Sequence, residues 1–438
     1  MTSAGRTVVL FTRDLRVHDH PALSSAAAAG EVVPLAVLDP SMLARSPNRA
    51  RFYLECLLDL DRSLSRLGGS LVVRSGDAVR ETLRVANDAR CDAVALTGDV
   101  GAIAAGRVRR LAAACSSVGI RLRVHPGNGV VEPGAVAPAG TDGYRVFGAY
   151  ARAWADADRR PVGSPIRRLR QPGGIALGAR PDPGSAGSTS PATVAGGERV
   201  GRARLTAFLR SGIGTYGEAR NRLDLDGSSR LSPFLRFGCL SPLEVEARAH
   251  DLPGASAFVR QLAWRDFFRQ LLATDPTLTA IDLRPPPPDR GPRLPGALEA
   301  WAHGMTGVPL VDAGMRQLRQ EGWMHNRARM ITASFLTRRL GVPWQEGAAV
   351  FAHLLLDGDP ANNAGNWQWV AGTGTDPRRM RSFNPVRQAI RCDPDGTYVR
   401  RWVEELRDAP TPLVFRPWRD PGRVGALGYP APILPLAG

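Results

Sequence analysis

The 438-residue chain contains no lysine, so all 57 of its basic side chains are arginine. Against 41 acidic residues they leave a formal charge of +16, a surplus that favours a polyanionic partner, of which nucleic acid is the commonest. The same absence of lysine is also what a biased genome composition produces, so charge gives a direction and no mechanism. Cysteine is scarce: the five (Cys56, Cys91, Cys115, Cys239, Cys392) are odd in number and form no CxxC pair. That excludes a disulfide framework and a zinc site, and leaves reduced, mostly buried thiols as the expectation. Long apolar runs are missing too. The longest, residues 32–38 and 351–356, fall far short of the roughly 20 residues of a membrane-spanning helix. No membrane association is expected. The first residues run straight into a strand-like Val8-Val9-Leu10-Phe11, without the apolar helix and cleavage site of a secretory signal. A cytoplasmic protein is expected.

What is present divides the chain in three. Over residues 1–130, short apolar segments (7–11, 32–38, 70–74, 93–96 and 121–124) alternate with amphipathic ones. In residues 49–67, for example, Phe52, Leu57, Leu60 and Leu64 recur at helical spacing. This alternation predicts an α/β domain with a doubly wound parallel sheet, although no GxGxxG follows the first strand. Residues 131–200 are taken as an interdomain linker, rich from 161 onward in Pro, Gly, Ser and Arg. Residues 201–438 carry helical periodicity, at 243–250, 255–273, 311–320 and 323–340, and predict a predominantly α domain.

Chemistry-bearing residues concentrate in the helical part. The segment Asp357-Gly358-Asp359-Pro360-Ala361-Asn362-Asn363-Ala364-Gly365-Asn366-Trp367-Gln368-Trp369 packs two carboxylates, three asparagines and two tryptophans into 13 residues. Small residues between them let the backbone approach something flat or large. A metal loop and a cofactor lining are the two generic readings; the spacing misses the calcium-loop pattern, and no metal is expected. In Gly227-Ser228-Ser229-Arg230-Leu231-Ser232-Pro233, clustered hydroxyls before a helical stretch suit either phosphate binding or a plain helix cap. In Trp323-Met324-His325-Asn326-Arg327-Ala328-Arg329-Met330, Asn326 and Met330 share one helical face and Arg327 points elsewhere.

Together with Phe258-Val259-Arg260-Gln261-Leu262-Ala263-Trp264-Arg265-Asp266-Phe267-Phe268, these segments resemble the DNA photolyase and cryptochrome family. The resemblance begins at Phe11-Thr12-Arg13-Asp14-Leu15-Arg16-Val17-His18-Asp19 and runs through Asn384-Pro385. It is greatest to members that repair cyclobutane pyrimidine dimers, the class I type. It implies an α/β antenna domain joined by a long linker to an all-α FAD-binding domain. Tyr216, Ser228, Ser229, Arg230, Leu231 and Ser232 would hold the phosphate and ribityl side of a U-shaped FAD, and Asn326, Arg329, Asp357, Asp359 and Asn363 its adenine and isoalloxazine. Phe258, Gln261 and Arg265 would complete the cofactor set. The resemblance pairs Arg329 with Asp357 and sets Asn363 against flavin N5. Trp264 and Trp369 correspond to the walls of a pocket for a flipped dimer, with Met330 and Gln261 beside it. Arg220, Arg327 and Arg381 correspond to DNA-facing positions. Trp367 and Trp344 correspond to the inner members of an electron relay. The activity implied is light-driven splitting of the dimer by an electron from excited reduced FAD, in a monomer acting on DNA.

The chain departs from the pattern at four places. Gln261 stands where dimer-specific members carry glutamate, and Phe258 where a tryptophan is common. The outer tryptophan of the relay falls near Gly291, leaving Trp301 or Trp323 as substitutes. Ala105-Gly106 replaces the Asn-Glu pair of folate-binding members, which favours a deazaflavin antenna over folate. A blue-light receptor of the cryptochrome kind and repair of the 6-4 photoproduct are the alternative readings. A basic nucleic-acid-binding protein without cofactor leaves the 357–369 cluster unexplained.

Overall fold

A computed structural model describes residues 5–288, 291–376 and 383–435. The chain forms two compact units: Met1–Ser188, Val194–Ile213 and Ser229–Pro276 make the first, and Thr189–Thr193, Gly214–Ser228 and Thr277–Gly438 the second.

The first unit is built on five parallel strands, β1 (Gly5–Phe11), β2 (Gly30–Leu38), β3 (Val72–Ser75), β4 (Ala93–Thr97) and β5 (Arg121–His125), in the order β3-β2-β1-β4-β5. Val8 of the central strand lies beside Val33 on one side and Val94 on the other. All three are fully buried. Strands covered by helices on both faces have no solvent side, hence their unbroken apolar runs. The helices are α1 (Pro21–Ala29), α2 (Pro47–Arg66), α3 (Ala78–Asp88) and α4 (Ala102–Ser117). Ser46 and Asp77 cap α2 and α3 by accepting backbone N–H bonds in their first turns, which satisfies donors the helix cannot pair internally.

Four further helices belong to the same unit: α5 (Phe147–Asp156), α6 (Glu198–Ser211), α7 (Pro242–Ala249) and α8 (Ser256–Thr274). The reason is a set of buried polar ties. Glu198 accepts the Val17 and His18 N–H groups at 2.9 and 3.1 Å. Asp266 of α8 accepts from Val130 N, Val131 N and Trp154 Nε1 at 2.9, 3.0 and 3.1 Å. The division by packing therefore differs from the one drawn by composition at residues 130 and 200. The stretch taken as linker contains α5, with Phe147, Tyr150 and Trp154 buried.

The second unit contains α9 (Ala297–His303), α10 (Pro309–Glu321), α11 (Asn326–Ser334), α12 (Trp344–Leu354), α13 (Pro360–Ala371), α14 (Pro385–Cys392) and α15 (Thr397–Trp402). Its core gathers Trp301, Val311, Met315, Leu318, Ile331, Leu336, Phe351 and Trp367, each at most 3 % exposed. Gln368 fastens the segment that leads into the proline-rich stretch, donating to Leu278 O and Ile281 O, both at 2.8 Å, and accepting from Leu283 N at 3.0 Å. Periodicity extends one helix over 323–340, but Gly322 ends α10 in the left-handed region at φ 60°. The helix then starts at Asn326, because His325 Nδ1 accepts from Arg327 N at 3.1 Å and caps it. Among the described residues no helix is long and apolar enough to cross a membrane, and all five cysteines are free and buried.

Candidate functional site

In the second unit the candidate side chains sit chiefly on α11 and α13, which pack together. The start of α11 at Asn326 puts Asn326 and Met330 one turn apart, with Nδ2 of the first 3.7 Å from Sδ of the second. Arg329 donates through Nε to Met324 O at 2.8 Å and through its terminal nitrogens to both oxygens of Asp357, at 3.0 and 2.8 Å. A planar fork met by a carboxylate is charge-assisted twice and fixes both side chains. Asp359 caps α13 by accepting from Asn362 N at 3.0 Å, and from Asn362 Nδ2 at 2.9 Å. One residue on, Asn363 Nδ2 donates to Ala348 O of α12 at 3.0 Å. Trp367 meets Phe351 and Trp301 edge-on, with centroids 5.0 and 6.0 Å away. Trp344 donates to Asp282 Oδ1 at 2.5 Å. Trp369 is half-buried on α13. Gly291, where the resemblance puts the outer tryptophan, has no room for a side chain: a Cβ there would lie 2.2 Å from Arg339 O.

Segment 214–228 carries Tyr216, whose hydroxyl is pushed above its ordinary pKa by burial. At Gly227 a Cβ would lie 2.4 Å from that of Ala219, so only glycine allows the turn to close this tightly. Beside it the Ser228 hydroxyl oxygen is buried and finds no partner among the described residues. Buried polar atoms are almost always paired, so this hydroxyl is available to a ligand. Arg327 bonds Asn221 Oδ1. Burial lowers its pKa; Cys392 opposes that, and the nearby Arg391 and Arg220 reinforce it. Three guanidinium groups thus share one neighbourhood. The sequence reading named Arg220 and Arg327 but missed Arg391. Arg381 lies outside the described residues.

In the first unit Trp264 is half-buried on α8. Gln261, one turn earlier, ties Nε2 to Ala257 O at 3.3 Å, and Phe258 is buried against Phe208 at 4.9 Å. Arg265 directs Nη1 to Asn128 O at 2.6 Å. In the serine segment, Arg230 holds a left-handed φ of 49°, an uncommon conformation for a residue with a side chain. No serine caps the short helix Ser232–Arg236: Leu231 occupies the cap position without a side-chain bond, and Ser232 is already helical. The plain-cap reading of this motif is therefore corrected, because the turn through Arg230 delivers Leu231 to the cap.

A further cluster went unnoticed in the sequence. The strand order reverses between β1 and β4, the switch point where doubly wound sheets bind ligands beyond the carboxyl ends of their strands. There Asp99 accepts from Arg13 and Arg269, both at 2.8 Å. Burial lowers the Arg107 pKa and raises that of Tyr53. Among the described residues, Thr12 Oγ1 and Arg107 Nε are buried without hydrogen-bond partners. The available signal was position, since Arg13 and Asp99 each follow a strand by two residues.

A doubly wound sheet with unsatisfied polar atoms at its switch point, and a helical unit carrying an ion pair, amides and tryptophans, define a cofactor-binding protein. Residues 7–166 match the family described as DNA photolyase, and residues 258–437 the FAD binding domain of DNA photolyase. The chain is 45% identical over 442 residues to a deoxyribodipyrimidine photo-lyase of Streptomyces griseus, covering 98% of this chain and 96% of that one. Among solved structures it superimposes on a bacterial class III photolyase from Agrobacterium tumefaciens with a TM-score of 0.90 and 31% identity, covering 99% and 95% of the two chains. A Synechocystis cryptochrome gives a TM-score of 0.90 at 27% identity, covering 99% and 98%. The chain belongs to the DNA photolyase and cryptochrome family, as a photolyase-type enzyme of DNA repair with an FAD-binding domain.

Proposed function

We propose that this enzyme repairs cyclobutane pyrimidine dimers in DNA by light-driven electron transfer. The observation that carries the reading is the Arg329–Asp357 pair, with Arg329 on the helix that bears Asn326 and Asp357 in the turn that leads into the helix of Asn363. A fixed guanidinium with amides around it stabilises negative charge without reorganising, as the anionic reduced isoalloxazine requires. The chemistry reduced FAD supplies when bound is one electron lent to the dimer on illumination and taken back after two carbon–carbon bonds part. Asn363, anchored through Nδ2, presents its carbonyl oxygen as the acceptor for a ring N–H. Ser228, with Tyr216, Ser229, Arg230, Leu231 and Ser232, holds the phosphate and ribityl side; Asp359 fixes the turn that carries Asn363. Phe258 keeps the packing of the tryptophan common at its place and loses one donor, and Arg265 completes the cofactor set.

On the substrate side Trp264 and Trp369 wall the extruded dimer, and Met330 and Gln261 lie against it. A damaged pair stacks poorly, so extruding it costs less than extruding a sound base. Arg220, Arg327 and Arg381 grip phosphates and set register without reading sequence. Trp367 and Trp344 pass electrons inward when the flavin has to be reduced. The protein acts as a monomer in the cytoplasm, consistent with its free thiols.

A second, antenna chromophore is assigned to the switch point of the sheet, where the buried Thr12 Oγ1 and Arg107 Nε, unpaired among the described residues, favour a polar ligand. A deazaflavin fits better than folate, given Ala105-Gly106 on α4.

The test is illumination of the reduced holoprotein with dimer-containing oligothymidylate. Recovery of intact thymine absorbance is the expected result. Unchanged dimer under light that bleaches the flavin band would sink repair of this lesion and leave the 6-4 photoproduct or blue-light reception.

A further inference from the structure

Phe147 opens α5, in a stretch whose composition reads as linker, and its ring lies flat on Trp264. The centroids are 3.5 Å apart and the planes within 10° of parallel. With that face occupied, the other receives the guanidinium of Arg260, 4.7 Å from the ring centroid. The result is a three-layer stack in which Phe147 is the middle, buried member, while Trp264 stays half-buried and Arg260 exposed.

Aromatic pairs left to themselves settle offset or edge-on, so full overlap has to be imposed from outside. α5 and the segment before it are clamped along α8 at three levels. Gln270 accepts from Tyr144 N at 2.7 Å and donates to Tyr144 O at 3.0 Å. Tyr150 meets Phe267 at 5.4 Å, and Trp154 donates to the fully buried Asp266. These ties fix Phe147 before anything binds. Phe267 meets the Trp264 ring edge-on with centroids 5.7 Å apart, and Phe268 lies tilted by 30° at 5.5 Å.

We propose that Phe147 is a positioning residue for lesion recognition: it locks the rotamer of Trp264 and leaves one indole face for the extruded dimer, without touching DNA itself. This rests on the reading of Trp264 as a wall of the lesion pocket. Without the brace Trp264 is ordered only on binding, and affinity falls by the factor that immobilising one such side chain carries, about three- to tenfold.

The experiment measures dark binding of the holoprotein to oligothymidylate carrying one cyclobutane dimer, and to the undamaged strand, with repair per absorbed photon at saturating substrate. In Phe147→Ala the Kd for damaged DNA should rise about three- to tenfold, with undamaged binding, flavin content and saturated yield as in the parent. Phe147→Leu, which keeps apolar volume but no flat face, should behave alike and decides the matter if the alanine variant loses its flavin. Phe147→Tyr should restore the parent value. Parental affinity in Phe147→Leu alongside weakened binding in Trp264→Ala would overturn the bracing role. So would an equal loss for damaged and undamaged strands. Unaltered affinity in Trp264→Ala would instead remove the lesion-wall reading and the proposal with it.

Discussion

Arg329 and Asp357 meet through two parallel hydrogen bonds while the carboxylate side chain is 4 % exposed and the guanidinium 22 %. Arg329 leaves the second turn of α11 and Asp357 precedes the cap of α13, so the pair sets the spacing between the backbones that carry Asn326 and Asn363. Removing either member unsettles both.

Asp357→Asn should therefore strip FAD while the fold survives. Breaking a buried pair costs about 3–5 kcal/mol, and the partial exposure of Arg329 reduces this to about 2. The flavin-to-protein absorbance ratio after desalting should drop at least about tenfold, and the melting temperature by several degrees. Full flavin retention would remove this pair from the cofactor site.

Gly291 yields an expectation opposite to simple repair of the missing relay member. A Cβ there would lie 2.2 Å from Arg339 O, and one at Gly341 equally close to Gly291 O. Both backbones must pass bare, so Gly291→Trp should destabilise the protein and leave photoreduction no faster. Gly291→Ala should already lower the melting temperature. A stable Gly291→Trp protein with accelerated photoreduction would show that the segment can rearrange.

Asp19 gives a pH dependence. Burial alone would raise its carboxyl, but Arg160, bound at 2.6 and 2.7 Å, with Ser241 Oγ and Gly163 N, outweighs burial and holds it below the ordinary 3.8. A carboxylate depressed in the folded state adds stability that is fully present above its unfolded value and disappears as pH falls through the folded one. Stability should thus decline below about pH 4, with Asp19 a contributor. Denaturant midpoints across that range should be flatter in Asp19→Asn, and an identical slope would exclude it.

Much of this was legible because it is periodic. The strand segments at 7–11, 93–96 and 121–124 fall within one or two residues of β1, β4 and β5: β1 and β4 are buried apolar runs, whereas β5 shows as Leu122 and Val124 alternating with polar residues. The site motifs were legible as composition: ordinary core does not collect Asp357, Asn363 and Trp367 in 11 residues. What depends on distant partners was not. Phe147 sits in a stretch read as linker because its partners Trp264 and Arg260 are more than 100 positions away. The start of α11 hid behind a histidine cap that periodicity does not register. Arg13 and Asp99 become a cluster only once β1 and β4 lie side by side.

The arginines around Arg327 bear on the salt dependence of DNA binding. Burial and the proximity of Arg220 and Arg391 disfavour its charge in the free protein, so a phosphate arriving among the three relieves repulsion already present. Each phosphate neutralised releases condensed counterions, and the slope of log K against log salt changes by about 0.9 per contact on duplex DNA and about 0.7 on a single strand. Arg327→Ala should reduce the slope by about that much and weaken damaged and undamaged DNA in equal proportion, because phosphate contacts carry no lesion information. Fluorescence anisotropy titrations between about 50 and 200 mM salt measure both quantities. A loss confined to damaged DNA, with the slope intact, would move Arg327 from the backbone to the extruded base.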